Sequence, residues 1–206
     1  MNYFSTKLGI AVLLLNVLMC HSAWARGAYA QISETKVINY VPAMPKKPVE
    51  KGGCWNTSVR APRFGAWACV AGKKAYDPCF SVPNVTNAVV CGANPALNEA
   101  GLRLELVQAL PFQQGIPPVS DEAWLMQLAN GLICTAALGP EMIVQNKGII
   151  AYACDEPGLP EGVHAGVFRA LEVGTVWNAH FVHYVVKKGN YEAKDIQQIP
   201  IMTVWQ

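Results

Sequence analysis

The cysteines constrain this chain more than any other feature. There are seven, at Cys20, Cys54, Cys69, Cys79, Cys91, Cys134 and Cys154. Whether such residues act as thiols, ligands or bridges depends on the compartment, and the N-terminus predicts one. Met1 to Lys7 carries a single positive charge, Leu8 to Met19 is apolar except for Asn16, and small residues alternate at Ala23-Trp24-Ala25 and again at Ala28-Tyr29-Ala30. A charged start, an apolar run of about a dozen residues and an A-x-A exit are the parts of a cleaved secretory signal. The run falls short of the ~20 residues that a spanning helix needs. The reading is therefore a signal peptide over residues 1–25, with cleavage after Ala30 as the alternative, and a secreted or periplasmic product with no membrane span. Cys20 leaves with the signal. A lipid anchor on it would call for a small residue just before it, where Met19 stands.

The six remaining cysteines, an even number in an exported chain, read as three disulfides. Sequence leaves fifteen pairings open. Joining neighbours gives Cys54–Cys69, Cys79–Cys91 and Cys134–Cys154, each closing a loop of about 12 to 20 residues and each contributing roughly 3 kcal/mol in the chain-entropy picture. Zinc coordination is the competing use of such residues, but the chain has no C-x-x-C pair and its spacings are wide. No metal and no cofactor is expected.

Charge is distributed unevenly behind a net +2: residues 26–76 hold nine Lys/Arg against two acids, and residues 77–206 hold six against twelve. The basic part lacks the dense patch with interleaved aromatics that marks a nucleic-acid footprint, so no nucleic-acid partner is expected. Within it, Val41-Pro42, Met44-Pro45, Lys46-Lys47-Pro48 and Gly52-Gly53 suggest an extended, Pro-rich leader over residues 26–53. The folded domain is expected over residues 54–206.

That domain reads as strands. Leu102, Leu104 and Leu106 alternate with Arg103 and Glu105, the period-2 pattern of a half-buried strand. Trp67–Val70, Val89–Cys91, Gly148–Cys154, Val176–Val186 and Ile196–Trp205 are further β-rich runs, punctuated by Asp77-Pro78, Pro83-Asn84 and Lys188-Gly189-Asn190. Trp124–Leu128, Asn130-Gly131 and Leu132–Thr135 predict a hairpin with a type I′ turn. A short helix over Asp121–Ala129 competes for the same residues. Short strands at roughly ten-residue spacing predict an all-β fold, or a β-rich α+β one: a single disulfide-stapled sandwich or barrel-like domain.

Several constellations bear on chemistry. Gly53-Cys54-Trp55 resembles the nucleophile segment of papain-like proteases, with His183 and then Asn190 downstream where that family keeps its base and orienting amide, so a cysteine hydrolase using Cys54 and His183 is one alternative. Pro48 and Lys51 stand where that family carries its oxyanion-hole glutamine and a partner cysteine. A nucleophilic Cys54 would also leave five cysteines to pair. His180 and His183 are spaced for a shared metal only on a helix; on a strand three residues apart they face opposite ways. Asp121-Glu122 and Asp155-Glu156 read as solvated turns, and no P-loop, dinucleotide glycine pattern or nucleophile elbow is present. Trp55, Trp177 and Trp205 are the candidate ligand-facing aromatics, with core packing as the competing role. Asn56-Thr57-Ser58 and Asn84-Val85-Thr86 are glycosylation sequons that matter only in a eukaryotic secretory pathway.

Taken together, Gly53-Cys54-Trp55, Ala66-Trp67-Ala68-Cys69, Tyr76-Asp77-Pro78-Cys79-Phe80, Val89-Val90-Cys91, Leu128-Ala129-Asn130-Gly131 before Cys134, Tyr152-Ala153-Cys154 and Val204-Trp205 resemble a family of uncharacterised secreted bacterial proteins. The resemblance covers most of the chain from Cys54 onward. It implies that all six cysteines are framework, and it supplies no catalytic residue. Tyr152-Ala153-Cys154-Asp155 also resembles the Y-x-C strand of periplasmic lysozyme inhibitors, a β-barrel group. The expectation is a binding or structural module for a protein or glycan ligand rather than an enzyme, with inhibition of a cell-wall hydrolase as the alternative among binding functions.

Overall fold

The computed structural model describes residues 31–113 and 122–206, so the expected signal peptide lies outside the described residues. The described residues form thirteen strands and one 3₁₀ turn, with no α-helix among them. The fold is all-β and built from two closed sheets.

The chain enters through β1 (Lys36–Ile38) and then makes β2 (Val49–Thr57), β3 (Ala66–Ala71), β4 (Lys74–Ser81), β5 (Ala88–Cys91) and β6 (Leu102–Leu106). Strands β2 to β6 pair each with the next in antiparallel fashion and close into a barrel. Up-and-down alternation over an odd number of strands leaves the first and last pointing the same way. The closing pair, β2 with β6, is accordingly parallel, with Val49 opposite Arg103 and Gly52 opposite Leu106. Leu102 and Leu104 turn inward as their alternation predicts, and they pack with Cys54, Trp67, Cys69, Cys79, Val89 and Cys91.

The second sheet contains β7 (Leu125–Leu128), β8 (Ile133–Ala136), β9 (Met142–Val144), β10 (Gly148–Asp155), β11 (Val163–Glu172), β12 (Asn178–Lys187) and β13 (Asn190–Trp205). Its strands run β13-β12-β11-β10-β8-β7, and β13 returns to pair with β7. Six strands permit closure with every pair antiparallel, and every pair in this circuit is. Met126, Leu128, Cys134, Val167, Phe181, Ile199 and Ile201 fill the interior. Gly166 is required where β11 crosses β10, because a Cβ there would stand 2.7 Å from Ile150 Cγ2 and 2.8 Å from the Tyr152 carbonyl oxygen.

The hairpin is present as β7 and β8, with Leu125 opposite Thr135 and Met126 opposite Cys134. Its turn differs from expectation. Gly131 takes a positive φ of 87°, whereas Asn130 is not among the positive-φ residues. Gly131 N–H donates to the Leu128 carbonyl and Leu128 N–H to the Leu132 carbonyl. This is a three-residue loop, a type I turn followed by a left-handed glycine, which supplies the same strand twist with one positive φ instead of two.

Within the described part of the stretch read as a leader, residues 31–53, two segments are strands. β1 pairs in parallel with Thr203–Trp205 of β13. Thr35, 4% exposed, donates its hydroxyl to the Ile201 carbonyl at 2.6 Å and accepts from Trp177 N–H at 2.7 Å. Val49–Gly53 belong to β2, so the first barrel begins ahead of Cys54. The partners that make strands of these segments lie far along the chain.

All three disulfides join directly opposed residues on neighbouring antiparallel strands: Cys54–Cys69 across β2/β3, Cys79–Cys91 across β4/β5 and Cys134–Cys154 across β8/β10. They are the neighbour pairings. The two barrels meet through Ala61, Ala66 and Phe80 on one side and Trp124, Leu125 and Trp205 on the other. Phe80 lies 5.1 Å from the Trp124 ring and 5.3 Å from Tyr40, the latter edge-on, and the Arg63 guanidinium stands over the Phe80 ring at 4.8 Å.

A candidate ligand groove at the barrel seam

The groove is built from segments that pack against the outer face of β8. One wall starts at the loop after β2. Asp77, on β4, reaches into that loop, and its carboxylate accepts from Ser58 Oγ, from Val59 N–H at 3.1 Å and from Arg60 N–H at 3.4 Å. Ser58 Oγ in turn accepts from Ala61 N–H at 2.8 Å. These bonds hold Arg60 over the seam, with Arg60 Nη1 donating to the Asp77 carbonyl at 3.3 Å. The wall continues through Gly92–Glu99, a loop tied by reciprocal backbone bonds between Asn94 and Glu99 at 2.9 Å and by Asn94 capping the turn Pro95–Leu97. β8 supplies the floor: Cys134 points inward at 0% exposure, which turns Ile133 and Thr135 outward.

Two clefts run along this floor. One, of about 410 Å³, is lined by Arg60, Tyr76, Asp77, Asn94, Glu99, Trp124, Thr135 and Leu138 among others. The next, of about 530 Å³, is lined by Asn94, Leu97, Ile133, Thr135, Cys154 and Asp155 among others. Asn94 and Thr135 line both, so the clefts are contiguous. Volumes of this order are those of ligand sites.

Two buried N–H groups belong to residues of the first cleft. Trp124 is 3% exposed, yet its indole Nε1–H has no hydrogen-bond partner among the described residues, and neither has the buried Nε–H of Arg60. Buried N–H groups are nearly always paired, and leaving one unpaired costs about 1–3 kcal/mol. Burial also pulls the Arg60 guanidinium below its ordinary pKa, an effect that Asp77 opposes. On the rim, the exposed Glu99 and Asp155 carboxylates take part in none of the hydrogen bonds or ion pairs of the described residues.

The residues singled out from sequence fall elsewhere. Trp177 and Trp205, both 6% exposed, are core residues, which corrects their candidacy as ligand-facing aromatics; each sits at a strand end turned into a hydrophobic cluster. Trp55 is 56% exposed at the β2 bulge and lines neither cleft. Cys54 is bonded to Cys69 and buried in the first barrel, while His183 stands on β12 of the second. The structure does not bring that pair together, and a bridged sulfur is no thiolate nucleophile. His183 Nε2 lies 2.7 Å from Glu156, and His180 Nε2 lies 2.9 Å from Glu172, so the two histidines engage separate carboxylates. The sulfurs of Cys69, Cys79 and Cys91 are within 4.8 Å of one another because two bridges stack in the first barrel, and in that state they are not metal ligands. Arg60 and Glu99 carried no motif in the sequence, and Trp124 and Thr135 stood out only as the ends of a hairpin; three distant segments bring the four together.

Neither a family model, nor a curated protein, nor a solved structure matches this chain. No helix among the described residues is long and apolar enough to cross a membrane.

Proposed function

We propose that this protein is an exported binding module whose ligand seats in the groove between its two barrels. Three disulfides suit an oxidising compartment. One observation carries the reading: two contiguous clefts of about 410 and 530 Å³ along β8, whose walls and floor come from different barrels. The groove offers no nucleophile beside a base, and its one basic side chain in the first cleft is already engaged with Asp77. That arrangement favours recognition over catalysis.

The test is selection of ligands from a displayed peptide library and a glycan array, repeated with Thr135→Trp. This substitution fills the floor shared by both clefts and leaves the barrel interior untouched. Ligands bound by the mature protein should lose at least tenfold in affinity in the variant, whose circular dichroism stays unchanged. Ligands bound equally by both proteins would refute the groove as the site. Suppression of lysozyme in a turbidity assay by the wild type alone would place its partner among cell-wall hydrolases.

A further inference from the structure

The first barrel brings together two bridges that the chain keeps apart. Cys54–Cys69 joins β2 to β3, Cys79–Cys91 joins β4 to β5, and all four cysteines share one interior with Trp67, Leu102 and Leu104. Cys69, Cys79 and Cys91 are fully buried, and their sulfurs all lie within 4.8 Å of one another. Cys54 falls outside that set, so Cys69 is the sulfur of its bridge that comes near both sulfurs of the other. We propose that these cysteines form a thiol–disulfide exchange site inside the folded barrel, in which a Cys69 thiolate attacks the Cys79–Cys91 bridge.

The chemistry begins with a reductant, a small dithiol. One of its thiolates attacks Cys54 Sγ, the Cys54–Cys69 bond breaks, and the electron pair stays on Cys69. The second thiol of the reductant then displaces Cys54, which leaves as a thiol while the dithiol becomes a disulfide. Cys54 is the point of entry because it stands at the β2 bulge, where the ladder to β3 slips register and opens most readily. In the exchange step, the Cys69 thiolate bonds to one sulfur of the Cys79–Cys91 pair. That bond breaks, and the other sulfur departs with the electron pair and takes up a proton. The exchange itself neither gains nor loses electrons, so the barrel keeps one bridge while the free thiol moves from β3 to β4 or β5. Cys134–Cys154 lies in the second barrel and has no bridge stacked on it among the described residues, so its reduction stays local.

The experiment uses Cys54→Ala in the mature protein, which leaves Cys69 as an odd thiol beside an intact Cys79–Cys91 bridge and needs no reductant. After acid quenching, the chain is unfolded, its free thiol is capped with N-ethylmaleimide and its peptides are mapped without reduction. The cap should fall on Cys69 in some molecules and on Cys79 or Cys91 in others, the latter at least about tenfold above the wild-type background. Cys134→Ala is the control, and its cap should stay on Cys154. A cap confined to Cys69 would overturn the proposal. So would a rate of exchange that climbs with urea or with protein concentration, since the reaction would then belong to unfolded chains or to pairs of molecules. If circular dichroism shows that Cys54→Ala does not fold, the wild type treated with limiting dithiothreitol gives the same reading. Molecules that have lost one bridge of the first barrel should then carry caps on Cys54 together with Cys79 or Cys91. Caps found only as Cys54 with Cys69, or Cys79 with Cys91, would sink the idea.

Discussion

At the scale of single residues, Asp77 does most to shape the groove wall. Its carboxylate collects the Ser58 hydroxyl and two backbone N–H groups of the loop after β2. Asp77→Ala strands those donors, and the expected cost is about 1–3 kcal/mol, read from the urea midpoint. An unchanged midpoint would mean that water replaces the carboxylate freely. Tyr152 makes the pH prediction. Burial first, and the nearby Glu122 charge second, push its hydroxyl above the ordinary tyrosine value. Near pH ~10 the unfolded chain therefore ionises while the folded one stays neutral. The stabilisation is present below that pH and is lost as the pH rises beyond it. Tyr152→Phe should flatten the alkaline fall in thermal midpoint, leaving the smaller slope from Tyr40 and Tyr184, which burial shifts in the same direction.

At the scale of elements, the bridges and the hairpin express one principle: local pairing over short loops. Cys134 and Cys154 are separated by 20 residues and stand directly opposite on β8 and β10. Replacing both by alanine should lower unfolding free energy by about 3 kcal/mol, the cost of releasing a loop of that length. Equilibrium denaturation checks it. A loss under about 1 kcal/mol would show that the β8–β10 ladder holds without the bridge. Adjacent spacing made these pairings legible, as period-2 alternation made β6 legible and Asn130-Gly131 marked the β7–β8 turn. The turn type was not legible, since whether one or two residues adopt positive φ depends on how the flanking strands coil within the barrel.

At the scale of the molecule, two closed sheets become one unit through a single aromatic seam. Phe80, 1% exposed, points out of the first barrel onto Trp124 of the second. Phe80→Ala should cost about 3–5 kcal/mol. It should also split the calorimetric transition in two as the barrels uncouple. One sharp transition at the wild-type temperature would disprove that coupling. The groove exists only at this scale, because its walls and floor come from different barrels and its shape follows from how they dock.

The division between what the chain declared and what folding decided follows from range. Sequence alone determined the cysteine-paired, all-β character, because strand alternation and short disulfide loops are local properties. Tertiary structure decided that the strands close into two barrels rather than one, that Trp177 and Trp205 are core, and that the supposed leader is stitched to the far end of the chain. It also decided the groove. Thr35 bonds to Ile201 across 166 residues, and no local pattern encodes a partner at that distance. Closure of a sheet, and the seam it leaves beside its neighbour, is set by the summed twist and register of all its strands at once.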